Sequence, residues 1–366
     1  MNITLIGPVH PYRGGIAHYT TLLAKHLQSA GHQVQVMSFK RQYPAWLYPG
    51  TSDRDTSRQP LTVPAEYDLD PLYPWTWVRA ARKIARGKPD LVVIQWWTTF
   101  WSPAFAAIAR MLKRSGLRVV YLVHNVMPHE TRFWDRRLAQ MALSAARTFV
   151  VQTGREASRL RSLLPGAEIV ISPHPVYDVF SDQRPPREEA RAALGLPAQG
   201  PVALFFGIVR PYKGLRYLLQ AVHVLKKRGS SVNLLVAGEF WEPVAEYRDL
   251  VNQLGIQDCV HIHNRYIPNE EIPTFFGAAD LFVAPYVDGT QSGSAKMALG
   301  FSIPMVLTEC VVDETLALQE AVWQAKERDP YSLADAMISA LNDTGARHPH
   351  PSGDDWSRAV RVIEAL

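Results

Sequence analysis

Short apolar runs of strand length alternate with helical patterns along this chain, and the alternation occurs in two series. In the first, Asn2 to Ile6, Gln33 to Ser38, Leu91 to Gln95, Arg118 to His124 and Thr148 to Gln152 read as strands. Ile16 to Ala30, Pro103 to Ser115 and Arg137 to Ala146 read as helices between them. Strand, helix, strand in repetition predicts parallel pairing, with helices over both faces of the sheet. The rhythm stops near Pro173-His174-Pro175, passes Asp182 to Pro186 and a short helix ending at Gly195, and resumes at Val202. Strands then follow near Val202 to Phe206, Asn233 to Ala237, Val260 to His263, Leu281 to Ala284 and Pro304 to Leu307. The fold class is therefore α/β, with two doubly wound parallel-sheet domains, residues 1–175 and 176–366, facing a cleft. The last helix is a candidate to pack back on the first domain. A chain of 366 residues is too long for one ordinary core, which agrees with two domains. Residues 41–77 break the rhythm with Pro, Tyr, Trp and polar residues, and read as a long excursion.

Composition narrows the class. With 47% hydrophobic and 20% charged residues the chain is that of a globular protein. No apolar stretch is long enough to span a bilayer, and Met1 to Gly7 has the look of a first strand rather than a signal peptide. Two cysteines, Cys259 and Cys310, without metal-ligand spacing, suit a reducing compartment, so a cytoplasmic location is expected. The net charge of +5 conceals an asymmetry: residues 1–180 carry +11 and the remainder −6. Basic clusters recur at Arg79, Arg82, Lys83 and Arg86, at Arg110, Lys113, Arg114 and Arg118, and at Arg132, Arg136 and Arg137. Any one of them reads as a solvated face. Three on one domain suggest an anionic partner, for which membrane phospholipid or a lipid-phosphate acceptor fits better than nucleic acid, since no nucleic-acid motif accompanies them. A peripheral position on the inner face of the membrane is the further expectation.

Two loops carry the clearest chemistry. Phe205 to Gly214 and Pro285 to Ser294 each follow a buried strand and precede a helix, which is where α/β sheets bind phosphates. The first brings two cations, Arg210 and Lys213, to a helix start at Gly214. The second, Thr290-Gln291-Ser292-Gly293-Ser294, brings small residues whose backbone N–H groups an anion can approach. Together they describe a diphosphate clamp. No compact Asp/His cluster has metal-ligand spacing, so neither a metal nor a cofactor is expected.

Several segments, in order, resemble one family. Gly7-Pro8 with Gly14-Gly15-Ile16, Val123-His124-Asn125, Gly207 to Gly214, Val236-Ala237-Gly238-Glu239 and Ala278 to Tyr286 are similar to those of GT-B glycosyltransferases of the family-four, retaining, nucleotide-sugar-dependent type. The resemblance implies two Rossmann-like domains, the second holding the nucleotide diphosphate of a sugar donor and the first binding the acceptor, a glycan or a lipid-linked molecule. Arg210 and Lys213 would then neutralise the leaving diphosphate. His124 would sit beside the donor sugar, Gly14, Gly15 and Gly207 would admit a close backbone approach, and Arg265-Tyr266-Ile267 would cradle the base, largely through backbone. Glu239 would reach ribose or base, with an exposed cap as the alternative.

The chain also departs from the family pattern. Members carry two glutamates with seven residues between them in the loop and helix after the Pro285-like strand end. Here Gly289 and Met297 hold those places, and a variant loop resembles a subgroup of bacterial surface-polysaccharide enzymes. Asp288 is the nearest carboxylate, as ribose contact or plain turn residue. Glu309-Cys310 replaces the glycine pair expected after the next strand. In the first domain His129 and Glu130 are acceptor contacts or solvated loop residues. Trp96 and Trp97 end a strand in a domain holding seven of the ten tryptophans, whose flat faces suit sugar rings or a bilayer interface as well as a core. The expectation is a transferase acting on a nucleotide-diphosphate sugar. A nucleotide-sugar epimerase and a noncatalytic nucleotide-sugar binder are the rivals.

Overall fold

The computed structural model describes residues 1–343 and 355–366. Two compact units divide the chain between His174 and Pro175, with Ser57–Gln59 assigned to the second and the last described residues to the first.

The first unit runs β1 (Asn2–Ile6), α1 (Gly15–Ser29), β2 (Gln33–Phe39), β3 (Glu66–Leu69), α2 (Pro74–Gly87), β4 (Leu91–Trp96), α3 (Ser102–Arg114), β5 (Val119–Val123), α4 (Asp135–Leu143), β6 (Thr148–Val151), α5 (Gly154–Leu163) and β7 (Glu168–Ile171). Its strands form one parallel sheet in the order β3-β2-β1-β4-β5-β6-β7. The central strands β4 and β5 are buried at every position, so they must be apolar on both faces, and that made them visible as sequence runs. Helices α2, α3 and α4 pack side by side in one layer.

The second unit runs α6 (Arg187–Ala193), β8 (Val202–Phe206), α7 (Leu215–Lys227), β9 (Asn233–Ala237), α8 (Val244–Leu254), β10 (Val260–His263), α9 (Ile272–Ala278), β11 (Leu281–Ala284), α10 (Gly293–Gly300), β12 (Met305–Thr308), β13 (Val322–Ala325) and α11 (Pro330–Asn342). Its six parallel strands stand in the order β10-β9-β8-β11-β12-β13. The buried guanidinium of Arg191 anchors the amino ends of the two central strands. It donates to the carbonyls of Ala278, Ala198 and Gly200 and pairs with Asp280 at 2.6 Å, while Asp280 accepts from the Val202 amide at 2.8 Å. After α11 the chain returns to the first unit as α12 (Asp355–Glu364), which packs on α1 and stacks Trp356 on His26 at 5.0 Å.

The excursion is shorter than the sequence suggests. β3 and the start of α2 lie inside residues 41–77, and β7 and β13 were not visible as strands. All three strands are edges of their sheets, where side chains are only partly covered and polar residues are tolerated, as in Glu66-Tyr67-Asp68-Leu69.

Candidate functional site

In the second unit the strand order reverses between β8 and β11, with β9 and β10 on one side and β12 and β13 on the other. Such a switch point leaves a crevice outside the carboxyl ends of the two strands, because their outgoing loops turn to opposite sides. The loops there are the two singled out by sequence. They are joined tightly. At Gly214, φ is +70° and a Cβ would stand 1.9 Å from the Pro285 carbonyl oxygen, so only glycine fits. The Val287 amide donates to the Tyr212 carbonyl at 2.7 Å. A one-turn 3₁₀ helix, Pro211–Lys213, precedes that glycine, so α7 begins one residue later than the sequence suggests.

Gly207 has φ +113°, and a Cβ there would meet Lys213 Nζ at 2.9 Å and Ser294 Oγ at 3.1 Å. The missing side chain thus leaves the space onto which an ammonium from one loop and a hydroxyl from the other converge. Lys213 is 9% exposed, with Nζ 5.3 Å from the centre of the Tyr286 ring. Burial pulls its pKa down, but the Tyr286 and Tyr212 side chains beside it outweigh burial, and the net shift is upward. The amine stays charged at neutral pH. Arg210, half-buried, lies over Trp241 at 5.3 Å and Tyr212 at 5.6 Å. Trp241 donates its indole N–H to Glu239 at 3.0 Å, and Glu239 is buried rather than an exposed cap.

Ser292 caps α10, accepting from the Ala295 amide at 3.1 Å, so Gly293 and Ser294 occupy the helix's first turn, where backbone N–H groups lack intrahelical partners. Thr290 is buried with no hydrogen-bond partner for its hydroxyl, and Gln291 beside it is half-buried. One turn into α10, Lys296 is fully buried and paired with Asp313 at 2.9 Å. Asp313 also accepts from the amides of Thr315 and Leu316. Asp288 is half-buried in the same loop and Gly289 follows at φ +149°. Cys310 lies behind the site, its amide donating to Glu327 and its thiol to the Tyr286 carbonyl; burial pushes that thiol up to about 11. Along the β10 edge, the Arg265 side chain is turned to Glu271, Tyr266 is half-buried and Ile267 is buried. Among the described residues no group of three or more His, Cys, Asp or Glu stands where it could hold a metal ion.

In the first unit Gly14 precedes α1 at φ +105° with open space around it, and Gly15 is exposed at the helix's first position. His124 follows β5 and is 2% exposed, with Nε2 2.6 Å from Gln95 Oε1 and its ring edge-on to Tyr19 at 4.8 Å. Burial, helped by the neighbouring His174, pulls its pKa down to about 3 against an opposing hydrogen bond with Gln152, so the ring is neutral. His129 is half-buried and Glu130 exposed in the loop that follows.

One expectation is corrected. Trp96 offers no face to an acceptor: it is 1% exposed, on the same side of β4 as Val92 and Ile94, inside the first core. Period-two alternation, not proximity to the strand end, decides its direction. Trp97 is half-buried and donates to the Tyr43 hydroxyl at 2.9 Å. Sequence reasoning missed Trp241, Tyr286 and the Lys296–Asp313 pair. Trp241 follows Glu239 by two residues at a strand end and was findable from that; the ion pair joins residues seventeen apart and left no local signal.

Two family models match the chain in order: "Glycosyltransferase Family 4" over residues 13–178 and "Glycosyl transferases group 1" over 200–343. The chain is similar to a D-inositol 3-phosphate glycosyltransferase of Xylanimonas cellulosilytica, 28% identical over 217 residues, which are 57% of this chain and 52% of that protein. It is also similar to the GDP-mannose:glycolipid 4-beta-D-mannosyltransferase of Xanthomonas campestris pv. campestris, 27% identical over 283 residues, 73% of this chain and 75% of that one. The chain spans about half the length of the first curated relatives it matches. In fold it resembles Anabaena HepE, solved in complex with UDP and glucose, with a TM-score of 0.74 over the whole of both chains at 14% identity. Each matched model falls on one of the two parallel-sheet units described above, and the chain belongs to the GT-B glycosyltransferases of family four.

Proposed function

We propose that the protein transfers a sugar from a nucleotide-diphosphate sugar to a glycan or lipid-linked acceptor, with retention at the anomeric carbon, in the synthesis of cell-surface polysaccharide or glycolipid. The observation that carries this reading is the convergence of Lys213 Nζ and Ser294 Oγ over Gly207 at the β8/β11 switch point, with Arg210 on the same loop. As the bond from the anomeric carbon to the diphosphate oxygen breaks, the electron pair leaves with the diphosphate and the sugar becomes oxocarbenium-like. Cations already in place around that oxygen stabilise the transition state more than the bound donor. The acceptor hydroxyl attacks from the face the diphosphate leaves, and its proton passes to a diphosphate oxygen. His124, buried, neutral and held by Gln95, supplies no proton to this step. The Xanthomonas relative is named for a glycolipid acceptor and HepE was solved with UDP, which supports a lipid-linked acceptor and a nucleotide donor.

A thermal-shift screen of UDP, GDP, ADP and their sugars tests the donor half. The correct nucleotide, at about 100 times its Kd, stabilises the fold by about 2.7 kcal/mol. Lys213→Met removes most of that shift. No stabilisation by any of them, or an equal shift in the variant, defeats the reading. Donor conversion without acceptor would identify an epimerase, and binding without turnover on any acceptor a noncatalytic binder. Because the Xanthomonas relative is named for a β linkage, proton NMR of the product is the check on stereochemistry. An inverted anomeric signal rejects retention and leaves transfer standing.

A further inference from the structure

Five exposed aromatic side chains of the first unit lie on segments that leave from one edge of its sheet. All seven strands are parallel, so every segment that follows a strand starts from the same carboxyl edge. Trp46 follows β2, Tyr73 and Trp75 follow β3, and Phe133 and Trp134 follow β5. Phe133 is 90% exposed, Trp46 78% and Trp75 64%, far beyond what a large aromatic ring has in a core. Cations attend them: Arg132 lies over the Trp134 ring at 5.5 Å and Arg41 over Tyr73 at 5.7 Å.

Behind that edge, the basic clusters seen in sequence fall on three adjacent helices, apart from Arg118 and Arg132. α2 carries Arg79, Arg82, Lys83 and Arg86, all exposed; α3 carries Arg110, Lys113 and Arg114; and α4 carries Arg136 and Arg137. The one carboxylate on these helices, Asp135, is buried and accepts from Thr99 and from the Arg132 amide. Asp68 and Glu66 on β3 pair with Lys83, and Asp68 with Arg79, which leaves Arg82 and Arg86 without a carboxylate partner among the described residues. A surface with aromatic rings at its rim and unneutralised cations along its face has the chemistry of a membrane-interface contact. An acidic protein would match the charge but not the exposed rings.

We propose that this edge seats in the headgroup layer of an anionic bilayer, with Trp75, Phe133 and Trp134 entering the interface and the α2–α4 cations facing lipid phosphates. The inference deepens the functional reading, on whose lipid-linked acceptor it rests. His129 and Glu130 leave from the same sheet edge, so an acceptor anchored in that bilayer would arrive where those acceptor candidates are. Each cation near an anionic surface strengthens binding by about 5-fold.

Co-sedimentation of the full chain with phosphatidylcholine vesicles, with and without phosphatidylglycerol, is the test. Retention is expected on the anionic vesicles at low salt and not on the neutral ones. The double variant Arg82→Glu/Arg86→Glu should lose at least ~10-fold in apparent partitioning. Phe133→Ser, at a residue too exposed to support the fold, should bind at low salt and be released at salt concentrations the parent withstands. A nucleoside-diphosphate thermal shift on each variant reports the donor site and the fold separately, so loss of vesicle binding with that shift retained concerns this surface alone. No retention on anionic vesicles, equal retention on neutral ones, or unchanged binding by the charge-reversed variant overturns the proposal. So does equally tight binding to poly-glutamate, which would assign the surface to an acidic macromolecule.

Discussion

At the scale of single residues, placement has separated groups that look alike in sequence. Lys213 and Lys296 are both buried lysines near one crevice, yet Lys213 faces the space over Gly207 while Lys296 is consumed by Asp313. His124 is buried neutral, and the pH dependence of stability follows from that. A pKa of about 3 in the fold lies below the ordinary 6.5, so folding binds fewer protons at this ring than the unfolded chain does. The stabilisation is present in full above pH 6.5 and is lost as pH falls towards 3, by about 2 kcal/mol at pH 5. Urea unfolding at pH 7 and pH 5 should show that loss, and His124→Asn should reduce it; an unchanged acid limb in the variant would show that the ring is not the cause. Gly214→Ala is a second residue-scale prediction. Its Cβ would overlap the Pro285 carbonyl at a positive φ, so a loss of at least ~2 kcal/mol in urea unfolding is expected, together with weakened nucleotide binding because the two loops part.

Elements decide which loops meet. β8 and β11 are far apart in sequence and adjacent in the sheet, so Gly207–Gly214 and Pro285–Ser294 come to one crevice. The N-terminal turn of α10 then depends on what lies beneath it. Lys296 and Asp313 pin that helix to the segment after β12, and removing one partner leaves the other charged and buried. Lys296→Met should cost about 3 to 5 kcal/mol, while Lys296→Met combined with Asp313→Leu should restore part of it. Chemical denaturation of the two variants checks this. If the double variant is as unstable as the sum of both single losses, the pair does not act as a unit. At this scale the buried strands were legible because two-sided burial writes itself as a continuous apolar run, as in β4 and β5. Edge strands β3, β7 and β13 were not, since a strand covered on one side can be polar and resembles a loop.

For the whole molecule, two cores predict two unfolding events. The first unit's cluster centres on residues such as Ile94, Phe105 and Tyr121, the second's on Phe205, Leu218 and Val236. Calorimetry should resolve two transitions, and the nucleoside diphosphate that binds should raise only the one belonging to the second unit. A single transition that moves as a whole would show one cooperative body instead. Much of this was determined by sequence alone. The repeated strand–helix alternation dictated two parallel sheets, and cations with glycine at a strand-to-helix turn marked the loops that meet at the β8/β11 switch point, because both are local patterns set by burial period and backbone freedom. Only the tertiary structure decided that Trp96 is core, that Trp241 lies against Arg210, that Lys296 is spent on Asp313, and that three scattered basic clusters form one helical layer. Those outcomes depend on which strands are neighbours and which face each residue takes, and contacts between residues distant along the chain leave no periodic trace in it.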